Sequence, residues 1–222
     1  MRFTFARIAP LWATLICTSS AHAAASLLVD DASTTPAGEC QIESWYQWHG
    51  QHQEISLVPA CTVAGTEWSA GVSDLRGAHA TAWTLGAKRT VRGHHDARVR
   101  IAVAAGIGGD LRAADARGWA LDLPVSVALD PVARVLLHAG IGWGHAPSAR
   151  GLTLGVGSEI QLTPHWSVIA EQARDATRQR GTQIGLRRTV RDSASLDFIA
   201  GRAHGTGADN WITVGVNLPL AR

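Results

Sequence analysis

The chain has 222 residues, 46% of them hydrophobic and 17% charged, with twenty Lys and Arg set against eighteen Asp and Glu. Two of the bases, Arg2 and Arg7, fall in an N-terminal leader, so the rest of the chain is formally neutral and nothing electrostatic points to nucleic acid as a partner. After that leader no run approaches the ~18 continuous apolar residues of a membrane-spanning helix, so the periodicity must decide between a soluble, a secreted and a β-barrel protein.

Residues 1–23 read as an export signal: a basic start, the apolar run Ile8 to Cys17, then Ala21-His22-Ala23, the small-x-small pattern a signal peptidase cuts. Cleavage is expected after Ala23. A lipid anchor on Cys17 would need a small residue before it, and Ile16 stands there. The expected plan is a signal peptide 1–23, a short N-terminal periplasmic segment 24–39 and an outer-membrane barrel 40–222. Cys40 and Cys61, an even pair in an oxidising compartment, read as a disulfide.

From residue 40 onward, apolar residues recur at every second position, which is the signature of strands. In chain order the predicted strands are 40–48, 53–63, 66–74, 81–91, 97–107, 118–129, 132–144, 151–162, 166–173, 181–190, 195–203 and 210–220. Val135, Leu137, Ala139, Ile141 and Trp143 alternate with Leu136, His138, Gly140 and Gly142. Ile212, Val214, Val216, Leu218 and Leu220 alternate with Thr213, Gly215, Asn217 and Pro219. Most of these runs match the ~9–11 residues that a tilted strand needs to cross a bilayer, and exceed the five or six typical of soluble domains. No helical period competes. Pro59 and Pro124 fall inside predicted strands, where each removes a ladder hydrogen bond.

Three further patterns point to a closed, up-and-down transmembrane β-barrel of about 12 strands. Odd connections, such as GDLRAADARG and HGTGAD, look longer than even ones, such as Ala64-Gly65 and Asp130-Pro131, as outer loops are longer than periplasmic turns. Pairing Cys40 with Cys61 sets Ile42 against Pro59, Ser44 against Leu57 and Tyr46 against Ile55 on one mostly apolar face. Gln41, Glu43 and Gln47 take the other face, joined there by Trp45. Finally, Trp48, Trp68, Trp83, Trp119, Trp143, Trp166 and Trp211 lie near strand ends, as an interfacial aromatic girdle would.

The parity opposite the apolar face carries Glu43, Glu67, Lys88, Arg98, Arg100, Asp122, Arg134, Glu159, Glu171, Arg187 and Asp197. Charge at the lipid-facing midplane costs about 2–4 kcal/mol, so these residues are expected to line a lumen. Two readings stand: a wet pore that passes small solutes, or opposite charges that pair across a narrow lumen and plug it. The histidines, among them His94-His95, His49 and His52, keep no metal-ligand spacing and read as surface residues. Gly106-Ile107-Gly108-Gly109 and Gly155-Val156-Gly157 lack the strand-to-helix context of a nucleotide loop. No catalytic set, metal site or cofactor is expected.

Val29-Asp30-Asp31-Ala32, Thr35-Pro36-Ala37-Gly38 and Gln41-Ile42-Glu43 resemble the opening of the outer-membrane proteins associated with the meta-pathway of phenol degradation. Leu162-Thr163-Pro164-His165-Trp166 with Glu171, Gly185-Leu186-Arg187, Leu196-Asp197-Phe198, Gly201-Arg202, Asp209-Asn210-Trp211 and Gly215-Val216 resemble that family's closing strands. The resemblance implies an outer-membrane barrel that passes small, aromatic or hydrophobic solutes. The expected partners are outer-membrane lipid, the barrel-assembly machinery and a small-molecule solute of unknown identity. Alternatives are a non-conducting structural or surface-interaction barrel, or a soluble periplasmic lipocalin-like binding protein.

Overall fold

In a computed structural model, the structure describes residues 26–50, 52–77, 80–93, 97–111, 116–130, 135–146, 149–190, 194–205 and 208–220. The signal segment 1–23, His94-His95, Arg134 and the turn at Asp192-Ser193 lie outside them.

The strands are β1 Cys40–Trp48, β2 Gln53–Val63, β3 Thr66–Arg76, β4 Ala80–Arg92, β5 Val99–Asp110, β6 Ala116–Asp130, β7 Val135–Ala146, β8 Ala149–Thr163, β9 Trp166–Arg174, β10 Arg180–Thr189, β11 Ser195–His204 and β12 Asn210–Leu220. Each pairs antiparallel with its sequence neighbours, and β12 pairs with β1 from Cys40↔Leu220 to Trp48↔Ile212, which closes the barrel. Closure leaves no edge, so every backbone ladder can be satisfied without water.

The β1–β2 register is the one set by the cysteines: Ile42↔Pro59, Ser44↔Leu57 and Tyr46↔Ile55, with a disulfide joining Cys40 to Cys61. Ala64 (φ 50°) and Gly65 (φ 74°) close the next hairpin. Positive φ at both central residues is the twist that a two-residue hairpin turn requires. Each proline disturbs one neighbour only. Pro59 keeps its place opposite Ile42, while pairing with β3 lapses between Leu57↔Val72 and Ala60↔Ser69. Pro124 stays opposite Gly140, and pairing with β5 lapses between Ile101↔Val125 and Ala104↔Asp122. A missing N–H costs one ladder and spares the other.

The expected contrast between long odd and short even connections is absent. β7 and β8 continue to Ala146 and from Ala149, through residues assigned to a loop, while 93–98 separates β4 from β5. Once one strand extends past the apolar belt, its partner gains ladder hydrogen bonds by following it.

Alternation sorts the two faces. Leu57, Val72, Leu85, Val103, Ile107, Leu121, Ile141, Leu154, Ile184, Phe198 and Val214 all face outward and exposed. So large an exposed apolar belt is stable only against hydrocarbon. Ile141 and Leu154 are cross-strand neighbours in it. Replacing either by Arg is expected to cost about 2–4 kcal/mol in urea unfolding from lipid vesicles; unchanged stability of both variants would contradict a lipid-facing belt.

Candidate functional site

Residues 26–39, which belong to the stretch 24–39 expected as a short N-terminal periplasmic segment, run into the barrel. Residues 36–39 turn at its mouth, where Glu39 N donates to Pro36 O (3.0 Å) and Gly38 N to Thr62 O (2.9 Å). From there the chain crosses the lumen from the β3 wall to β9–β11. Thr35 N donates to Glu67 Oε2 (2.6 Å), and its hydroxyl bonds the same oxygen. Ala32 N donates to Ser126 Oγ (2.8 Å), and Thr90 Oγ1 donates back to Ala32 O (2.9 Å). Lys88 Nζ donates to Asp30 Oδ1 (2.7 Å), with both side chains buried. Leu28 N donates to Glu171 Oε2 (2.8 Å), Gln183 Nε2 donates to Ser26 O (2.9 Å), and Ser26 Oγ bonds Asp197.

Apolar packing fixes the same path. Leu27 meets Ile169 and Ile199, two isoleucines that face inward against the general alternation. Val29 occupies the space of the missing side chain at Gly155, whose added Cβ would lie 2.8 Å from Val29 Cγ2.

The charged residues of the inward parity cluster inside the barrel. Glu43, Glu67, Lys88, Glu171 and Asp197 are buried inside, joined by the half-buried Arg100, Asp122, Glu159 and Arg187. They are not a dispersed lining. Arg187 grips both oxygens of Asp197 (2.7 and 2.8 Å) and reaches Glu159 (3.0 Å); Glu171 also accepts from Gln183 (2.6 Å). Arg98 differs: it precedes β5, is exposed, and takes part through its carbonyl, which accepts from Ala128 N. Arg134 lies outside the described residues.

The tryptophans need one correction. Trp48, Trp68, Trp83, Trp119, Trp143 and Trp166 have the outward parity, but Trp211 is only 7% exposed and points into the lumen. Its ring lies over Gly201, where an added Cβ would come within 2.0 Å of the indole, and its Nε1 donates to Gln183 Oε1 (3.3 Å). Proximity to a strand end suggested the girdle, whereas Trp211 shares the parity of the inward Thr213 and Gly215.

Trp211 and Trp45 border a cavity of about 270 Å³ toward the end of the barrel opposite the start of β1 and the end of β12. Its floor is Ser26 to Asp30, and Gln47, Thr153, Gln183 and Thr213 contribute polar groups. Of its carboxylates, Glu54 accepts from Ser56 (2.7 Å), Asp122 from Thr153 (3.2 Å) and Asp209 from His49 (2.8 Å). At the rim, His49 stacks on His52 (4.4 Å between centroids), and with Asp209 these residues are close enough to share a cation. Both ring nitrogens of His49 already face protein oxygens, Nδ1 at Asp209 and Nε2 at 3.0 Å from Gln47 Oε1. Ser126 Oγ and His138 Nδ1 approach to 3.2 Å, but both residues are buried and Ser126 Oγ also accepts from Ala32 N.

The Lys88–Asp30 pair is the one buried ion pair between segment and wall among the described residues. Removing one partner of such a pair costs about 3–5 kcal/mol. Lys88→Met is therefore expected to make residues 26–39 cleavable by protease while the barrel resists; unchanged protection would show that the pair does not hold the segment.

No curated protein matches the chain. Among solved structures it is similar to the KdgM porin in complex with disordered oligogalacturonate (TM-score 0.69, 10% identity, 82% of this chain and 99% of that one). It is also similar to the NanC porin (0.59, 8%, 82% and 100%) and to an outer-membrane channel of Pseudomonas putida F1 (0.58, 10%, 86% and 98%). At these identities the likeness shows a porin-like barrel fold, one that also carries the outer-membrane phospholipase A of Escherichia coli. A family model covers residues 11–220, and the chain belongs to the family described as Uncharacterised conserved protein UCP029691.

Proposed function

We propose that the chain is exported to the outer membrane and there forms a channel for small solutes that its own N-terminal segment keeps closed. The end of the barrel where β1 begins and β12 ends then faces the periplasm, and the cavity opens outward. The observation that carries this reading is the course of residues 26–35 across the lumen, joined to the wall by backbone donors and one ion pair. These bonds replace hydrogen bonds to water, each worth about 1 kcal/mol net, so the segment can be displaced without unfolding the barrel.

The cavity supports a small aromatic or apolar solute. Two indoles and Leu27, Leu28 and Val29 border it, with amides and hydroxyls placed to orient a ligand. Its volume exceeds the roughly 150 Å³ of an engineered cavity that takes up benzene. This accords with the solute class implied by the resemblance to the phenol meta-pathway proteins. The filled lumen favours one alternative, a barrel that never conducts. The hydroxyls that border the cavity are already engaged, Ser26 with Asp197, Thr153 with Asp122 and Thr213 with Gln47, which favours transport over catalysis.

The test is conductance in planar bilayers. The wild type should be mostly closed, and a variant lacking residues 26–37 should give larger, discrete openings. A Val29→Cys/Gly155→Cys variant places its Cβ atoms 3.4 Å apart, close to disulfide range. Oxidised, it should stay closed, and reductant should restore wild-type behaviour. If the deletion variant inserts and remains silent, the barrel is non-conducting. If the wild type already conducts as the deletion variant does, the segment is no gate.

A further inference from the structure

The outward face at the rim away from the termini divides into two arcs. Trp48, Trp83, Trp119 and Trp143 furnish its aromatic girdle on β1, β4, β6 and β7. On β8 to β12 no tryptophan faces outward at that end, because Trp211 has turned inward and Trp166 lies at the other end of β9. Cations stand there instead. Arg174 closes β9 directly opposite Arg180, which opens β10, and Arg180 is in turn opposite His204 at the end of β11. One outward step toward the belt, Thr182 stands opposite both Gln172 and Arg202, and Arg202 opposite Asn210. Arg150 extends the arc on β8, opposite His145. Directly opposed residues share a face, and in these strands it is the face of Leu154, Ile184 and Phe198.

Like charges set directly opposite one another on adjacent strands destabilise a sheet. The chain does not answer these. Among the described residues no salt bridge joins Arg150, Arg174, Arg180 or Arg202 to a carboxylate. Of the nearby acids, Asp175 accepts from Thr177 and Gln179 within its own loop, and Asp209 is held by His49. His204 Nε2 meets the Thr182 hydroxyl (3.0 Å). Arg180, Arg202, His204 and Arg150 are exposed, whereas Nε of Arg174 is buried with no partner. Guanidinium forks are the side chains best matched to phosphate oxygens, and they sit at the height where the apolar belt ends, Leu154 being opposite Arg174.

We propose that this arc binds the phosphate groups of an anionic glycolipid in the leaflet surrounding the rim, of the lipopolysaccharide type, so that lipid headgroups replace the missing stretch of tryptophan girdle. The assignment rests on the outer-membrane reading above.

The test titrates the purified barrel with lipopolysaccharide in detergent and counts bound lipid by native mass spectrometry. Arg174→Gln/Arg180→Gln should bind at least about tenfold more weakly, from the loss of two cations near an anionic surface. Arg89→Gln, at an outward site near the opposite rim, should bind as the wild type does. Dephosphorylated lipid should not distinguish wild type from the double variant. Equal binding by wild type and double variant, with both folded by tryptophan emission, overturns the proposal. Displacement of the lipid by millimolar inorganic phosphate would make this a free-phosphate site and overturn it too. Cell fractionation decides the outer-membrane reading separately: a protein found there that ignores lipopolysaccharide leaves that reading intact and removes only the lipid site.

Discussion

Within the barrel the wall presents Glu43, Glu54, Glu67, Asp122, Glu159, Glu171 and Asp197, against Lys88, Arg100 and Arg187. Burying a carboxylate costs several kcal/mol unless donors surround it. The N-terminal segment brings those donors: the N–H groups of Leu28 and Thr35 and the hydroxyls of Ser26 and Thr35. It also brings Asp30, whose partner is the buried Lys88. Wall and segment therefore complete one another electrostatically. The lumen, read from strand parity as either wet or plugged by paired charges, also holds a third element, residues 26–35.

The exterior follows from a separate constraint. Closing β1 on β12 satisfies the backbone, so the outer surface between the rims is free to be apolar, and alternation makes it largely so. Charged outward residues lie toward the rims. Arg188, at the end near the termini, lies 5.5 Å over the Trp166 ring. At the far rim the arginines of β9 and β10 have no such ring beside them among the described residues. The inward turn of Trp211 links the two surfaces, since the residue that borders the cavity is one that the girdle lacks.

Much of this was legible in the sequence. The bounds of β1, β2 and β12 coincide with the predicted strands because strict alternation there ends at clear turn residues, and the cysteine pair sets the first register. The segment 26–35 was not legible. Its residues follow neither the period of a strand nor that of a helix, and its conformation is imposed by bonds to strands up to 171 positions away, as from Ser26 to Asp197. Trp211 was readable from parity and was misplaced by nearness to a strand end. Ile169 and Ile199 are apolar residues on the polar parity, a break in pattern that marks where Leu27 docks. The cavity, made by joining that segment to both tryptophans, was hidden for the same reason.

The most direct measurement is amide hydrogen exchange of the folded protein in lipid nanodiscs, resolved at Leu28, Ala32 and Thr35. Each of these amides donates to a side chain of the barrel wall. If the segment is seated in the lumen, they exchange far more slowly than an unstructured chain, at rates set by release of the segment and not by unfolding of the strands. Exchange at the rate of a free peptide, with the strand amides still protected, would place residues 26–35 outside the barrel and contradict the account.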